Sequence, residues 1–160
     1  MKTFLEKNLR EAQHSRRVSE LSEALAIKMG LKPDEVSQAR LAGLMHDIGK
    51  IGINESILNL NRSLTAPEIL EIRKHAEIGH RILNASNQFS EIAQDVLQHH
   101  EHFDGNGYPN GLKGNEISMI ARIISIADAY DAMSSDRPYR KAFETSIILN
   151  ILTENAGTQF

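Results

Sequence analysis

Leu41-Ala42-Gly43-Leu44-Met45-His46-Asp47-Ile48-Gly49-Lys50 is an apolar helical run that ends in a histidine, a carboxylate and, three residues on, a lysine. Adjacent residues on a helix diverge by about 100°, so His46 and Asp47 cannot share a face, and a polar group buried without a partner is costly. A cation suits both. Neutral imidazole and ionised carboxylate are metal ligands, and two diverging ligands on neighbouring residues can serve two ions side by side. Gly49 and Gly52 then let the backbone turn sharply out of the helix. An H-D pair alone is a weak signal, so the rest of the chain must decide it.

Upstream, Leu5, Leu9, Val18, Leu21, Leu25 and Ile27 recur at near-helical spacing over residues 3–29, and Gly30 is placed to end that helix. His14 lies close to its inward face, where a lone histidine is more often a satisfied core residue than a ligand. Pro33, Asp34 and Glu35 form a good first turn, and Val36, Ala39, Leu41 and Leu44 carry a second helix into His46 and Asp47.

Downstream, residues 51–64 read as an irregular connection with at most a helical turn. Thr65-Ala66-Pro67-Glu68 has a capping-box pattern and opens a third helix that runs to about residue 83, with His75 and His80 on it; His80 reads as surface or packing. A fourth helix, at about residues 89–101, ends in Gln98-His99-His100-Glu101-His102, where adjacent histidines repeat the diverging geometry of His46 and Asp47. Residues 103–114 hold four glycines and a proline and form a structured loop. A fifth helix, at about residues 116–133, is apolar nearly all round and should be central; Asp128 follows its apolar run and needs a cation or a hydrogen-bond network. Arg137 to Lys141 form a basic turn before a last helix at about residues 143–152. The sequence thus predicts an all-α, single-domain bundle of about six to seven helices, with no convincing strand, repeat or linker.

Composition narrows the chemistry. The chain has 160 residues, 41% hydrophobic and 24% charged, enough for one globular domain with a substantial core. It has no cysteine, so disulfides and thiolate sites are excluded, and any metal is held by nitrogen and oxygen. A net charge of -3 gives no reason to expect duplex nucleic acid, and an anionic ligand must be met locally. No apolar run approaches the roughly 20 residues of a membrane span, and the N-terminus lacks a signal-peptide core, so a cytoplasmic location with no membrane segment in this chain is expected.

His46-Asp47, His75, His99-His100 and Asp128, with Lys50 and the Asp104-Gly105-Asn106-Gly107-Tyr108-Pro109 loop, together resemble the HD-GYP branch of the HD-domain phosphohydrolases. The match runs from about His14 to Phe160, and the H-D-x-x-K, H-H-E, D-G-x-G-Y-P, A-D and R-P-Y-R segments come in the family's order. The resemblance implies an HD-type helical bundle and metal-dependent hydrolysis of cyclic di-GMP to the linear dinucleotide pGpG or to GMP. It puts metal ligands at His14, His46, Asp47, His75, His99, His100 and Asp128, and substrate contacts at Lys50, Tyr108, Arg137 and Arg140. Asp47 and Lys50 are its catalytic pair.

The implied cofactor is a pair of divalent ions, iron or manganese. Two ions of about six ligands each offer about twelve positions; with Asp47 bridging, these side chains fill about eight and leave room for water and phosphate oxygens. Many family members place a glutamate four residues before the first histidine to help hold a third metal. Arg10 stands there, which makes a third ion doubtful, and the neighbouring Glu11 points elsewhere on the helix. Ala76 and Ser118 stand where proline is common and should change local geometry only. The implied setting is an isolated domain of a longer signalling protein, able to dimerise or to meet a receiver, sensor or GGDEF domain through its G-Y-P loop. Two alternatives keep the fold: a regulatory module that binds cyclic di-GMP or a protein without efficient turnover, and a phosphohydrolase for another nucleotide.

Overall fold

The computed structural model describes residues 2–60, 62–136 and 141–160, with side chains from residue 9 onward. Arg137 and Arg140, two of the expected substrate contacts, lie outside the described residues.

Helix α1 (Lys2–Lys28) pairs with α2 (Pro33–Met45) across a tight connection. Gly30, at φ 75°, ends α1, and the Leu31 amide reaches back to the Ala26 carbonyl at 3.1 Å, the left-handed stop that glycine makes inexpensive. The seam between the two helices is built from small residues. Val18, Ser19, Ser22 and Ala26 face Ala39, Ala42 and Gly43, all buried. A Cβ on Gly43 would sit 2.9 Å from Ser22 Oγ and 3.1 Å from Ser19 Cα. This close approach replaces the larger apolar stripe expected from spacing: Leu9 and Ile27 are each 60% exposed, on the outer side of α1.

After a 3₁₀ turn (Ile48–Gly52) and a one-turn helix α3 (Glu55–Leu58), the expected third helix comes in two pieces, α4 (Ala66–Arg73) and α5 (His75–Asn84). Thr65 and Glu68 form the capping box read from sequence, with the Thr65 amide donating to Glu68 Oε2 at 2.8 Å. The break falls at Lys74, which keeps helical dihedrals (φ -62°, ψ -16°), so the chain bends without leaving the helical region. Periodicity alone does not register such a bend.

Helix α6 (Ser90–Gln98) packs on α5 and leads into the glycine-rich loop. Helix α7 (Met119–Ser134) occupies the centre, against α1, α2, α6 and α8 (Thr145–Glu154). Its Ile120, Ile123, Ile124 and Ala127 join Val18, Ala39, Ala42, Ile92 and Val96 in the core. Each fully buried isoleucine contributes about 1.5–3 kcal/mol. Ser118 caps α7 by accepting from the Ala121 amide at 2.9 Å, and its own amide donates to Gln98 Oε1 at 2.8 Å, a bond a proline at this position could not make. The described residues contain no strand, and no helix among them is long and apolar enough to cross a membrane.

Candidate metal centre

Helix ends leave carbonyls without main-chain partners, and three histidines use this. His46 Nδ1 donates to the Gly43 carbonyl at 2.8 Å, His75 Nδ1 to Ile72 at 2.7 Å and His99 Nδ1 to Val96 at 2.6 Å, each bond reaching three residues back. A carbonyl only accepts, so Nδ1 must carry the hydrogen, and Nε2 of each ring is left as a ligand atom. A fourth ring, His14, has its Nδ1 2.7 Å from Asp131 Oδ2, so its Nε2 also faces inward.

These atoms converge in two groups. His75, His99 and His100 form one, and His14, His46 and Asp128 the other; within each, the ligand atoms all lie within 4.8 Å of one another. Asp47 stands between them. Its Oδ1 is 3.6 Å from His75 Nε2, while Oδ2 is 3.3 Å from His46 Nε2 and 3.6 Å from His14 Nε2. The seven expected metal ligands therefore come to one place, from α1, the end of α2, the α4–α5 junction, the end of α6 and α7.

The donor set fits cations. His75 Nε2 and His99 Nε2 lie 3.4 Å apart, both rings buried, with both Nδ1 hydrogens already used. A proton on either Nε2 is disfavoured: burial lowers His75, and burial together with the neighbouring His100, His46 and His75 holds His99 well below the ordinary histidine value. His100 is lowered to about 3 by burial and by His75. The bare Nε2 atoms of His75 and His99 thus face each other beside the neutral His100 ring, and a cation resolves their mutual repulsion.

The other group is balanced differently. Burial would lower His14, but Asp131, Asp47 and Asp128 outweigh it and push the ring up to about 9. His46 is raised against its own burial by Asp47 and Asp128. Asp47, which burial alone would raise, is held well below the usual carboxylate range by His46, His14 and Lys50. Lys50 Nζ lies 2.6 Å from Asp47 Oδ2 and 3.4 Å from Glu11 Oε2.

The backbone that carries these groups is tightly constrained. A Cβ on Gly49 would fall inside the contact distance of the His75 carbonyl oxygen and 2.5 Å from the Gly79 amide, so the turn after Asp47 packs backbone to backbone on α5. In the glycine-rich loop, the buried Glu101 carboxylate accepts from the Asn110 amide at 2.7 Å and the Leu112 amide at 3.0 Å. This anchoring lays the Tyr108 ring on His100, with centroids 4.8 Å apart and planes 26° off parallel. The Arg73 guanidinium carbon sits 4.7 Å from the Tyr108 ring centroid.

Three site residues were missed in the sequence. Asp131, on the face of α7 one turn beyond Asp128, orients His14 and is itself bound by Arg17 Nη2 at 3.0 Å; its spacing from Asp128 was the available signal. In the sequence Glu101 is only the last letter of the H-H-E segment, with nothing to mark its role on the loop amides, and Arg73, which lies against Tyr108, is marked by no local pattern. His80 pairs with Asn84 on α5, as a surface residue. Arg10 is exposed on α1, and Glu11 reaches Lys50 instead of joining either ligand group.

Residues 3–160 match the family model described as HD domain. The chain is 43% identical over 145 residues to the cyclic di-GMP phosphodiesterase PA4108 of Pseudomonas aeruginosa, covering 90% of this chain and 35% of that protein. It is 38% identical over 147 residues to the 3'3'-cGAMP-specific phosphodiesterase 3 of Vibrio cholerae, covering 92% of this chain and 32% of the other. It therefore spans about a third of the length of these relatives. Among solved structures, Bd1817, an HDG"Y"P protein from Bdellovibrio bacteriovorus, superposes with a TM-score of 0.74 at 23% identity, over 94% of this chain and 48% of that one, a likeness of fold.

Proposed function

Since the chain belongs to the HD-domain family, in its HD-GYP branch, we propose that it hydrolyses the phosphodiester bonds of cyclic di-GMP. The observation that carries this reading is the pair of ligand groups facing the two oxygens of Asp47, an arrangement suited to holding a phosphodiester between two cations. His75, His99 and His100 would hold one ion and His14, His46 and Asp128 the other, with Asp47 shared. Nitrogen and oxygen donors without thiolate suit iron or manganese. Bound there, such ions would polarise the phosphate oxygens and acidify the attacking water.

The protein's own groups supply the rest. Buried carbonyls and Asp131 fix the imidazole tautomers, so the ligand atoms need no rearrangement. Lys50 holds Asp47 in place from one side and adds positive charge beside the two ligand groups. Tyr108 is held on His100 by the Glu101-anchored loop; burial raises its hydroxyl above the ordinary tyrosine value, so it stays protonated and is a donor for a phosphate oxygen.

Incubating protein loaded anaerobically with iron or manganese with cyclic di-GMP, and resolving products by chromatography, tests the reading. Appearance of pGpG or GMP is expected. Turnover of 3'3'-cGAMP without turnover of cyclic di-GMP would overturn the substrate assignment, and binding of either without any hydrolysis would make the domain a sensor.

A further inference from the structure

A cyclic dinucleotide carries two phosphodiester anions in one ring, and only one of them can be at the metal centre during cleavage. The other needs a cation outside the ligand groups. Lys50 is committed to Asp47 at 2.6 Å and approaches Glu11 at 3.4 Å. Arg17 is committed to Asp131. Arg73 differs from both. It is the last residue of α4, exposed, two positions before His75, and among the described residues no carboxylate or carbonyl accepts from its guanidinium.

The Arg73 side chain is nevertheless not loose. Its guanidinium carbon rests 4.7 Å from the Tyr108 ring centroid, and that ring is stacked on His100 at 4.8 Å. A guanidinium over an aromatic face is held by the ring's negative quadrupole while its N–H groups point outward in its own plane, free for a bidentate anion. His100, Tyr108 and Arg73 thus form a contiguous row from the metal centre to its rim, and the row ends in a positive charge whose donors are unused.

We propose that Arg73 is a substrate-binding residue that receives the second, uncleaved phosphodiester of a cyclic dinucleotide. This rests on the phosphodiesterase reading above and adds to it a determinant of size: a substrate with one phosphate gains nothing from Arg73, and a cyclic dinucleotide does. Arg73 is exposed and sits at a helix end, so its replacement leaves the core intact.

The test compares cyclic di-GMP with bis(p-nitrophenyl) phosphate, a single diester, on the metal-loaded protein. Arg73→Ala is expected to raise the KM for cyclic di-GMP relative to that for the small diester by about 10- to 100-fold, the range for losing a charge-assisted contact to an anion. The Kd of a non-hydrolysable phosphorothioate analogue of cyclic di-GMP should rise by the same factor. Arg73→Gln, which keeps a planar group on Tyr108 without the charge, should behave like Arg73→Ala, and Arg73→Lys should recover part of the loss. An unchanged ratio of KM values, or equal losses on both substrates, would overturn the proposal by reducing Arg73 to a support for Tyr108. A wild-type protein that cleaves the small diester but neither cyclic di-GMP nor 3'3'-cGAMP would instead overturn the cyclic-dinucleotide reading, and the Arg73 contact with it.

Discussion

His75 and His99 face each other through bare Nε2 atoms 3.4 Å apart, each ring turned to that position by a backbone carbonyl three residues earlier. Neither nitrogen has a hydrogen to offer the other, and both rings are buried. The fold keeps a group of mutually repelling lone pairs in its interior, which is a cost to the protein unless a cation joins them.

Asp47 is the carboxylate that both ligand groups share. Asp47→Asn keeps its shape but removes the charge that balances His14, His46 and Lys50. Turnover of cyclic di-GMP should fall at least about 100-fold, with metal content reduced and helical content by circular dichroism retained. A metal-analysed Asp47→Asn protein with wild-type turnover would remove Asp47 from the centre.

The two groups should differ in their proton linkage. His14, pushed up to about 9 chiefly by Asp131 and Asp47 against its burial, carries a proton at pH 7 in the metal-free protein and must lose it to bind an ion through Nε2. Metal affinity there should therefore rise with pH up to about 9, and binding should release a proton, seen calorimetrically as a dependence on buffer ionisation enthalpy. The His75, His99 and His100 group, already unprotonated, should release none. Asp131→Asn should reduce both the proton release and the affinity of the His14 group, the latter about 10- to 100-fold. Identical proton release in wild type and Asp131→Asn would contradict the assignment.

Much of this candidate centre could be read from the chain because most of its expected ligands sit where helices end, His14 and Asp128 excepted. His46-Asp47 and His99-His100 interrupt apolar runs, and a buried polar residue at such a point is visible in one dimension. Asp131 escaped because its role depends on His14, 117 positions away. Glu101 escaped because its partners are the amides of Asn110 and Leu112, and a backbone amide leaves no mark in a sequence. The bend at Lys74 escaped for a similar reason: the residue stays helical, and only the carbonyl bond of His75 shows why the helix divides there.

Gly49 sets the distance between the Asp47 turn and α5. Gly49→Ala puts a methyl group against the His75 carbonyl and the Gly79 amide, both backbone and unable to step aside. Overpacking of this kind costs about 1–3 kcal/mol or more, and the displaced His75 should weaken metal binding as well. Urea denaturation of the metal-free protein measures the first effect, and metal titration the second. Stability and affinity equal to wild type would mean that the turn and α5 are less closely packed.

The central claim is that two ions share Asp47, with Arg10 standing where a further ligand would be needed for a third. Anomalous scattering at the iron or manganese edge, from crystals of protein prepared without oxygen or chelator, tests it most directly. Two peaks are predicted, one among His75, His99 and His100 and one among His14, His46 and Asp128, each in contact with a different oxygen of Asp47. A single peak, a third fully occupied peak beside Glu11, or peaks that leave Asp47 uncoordinated would contradict the account.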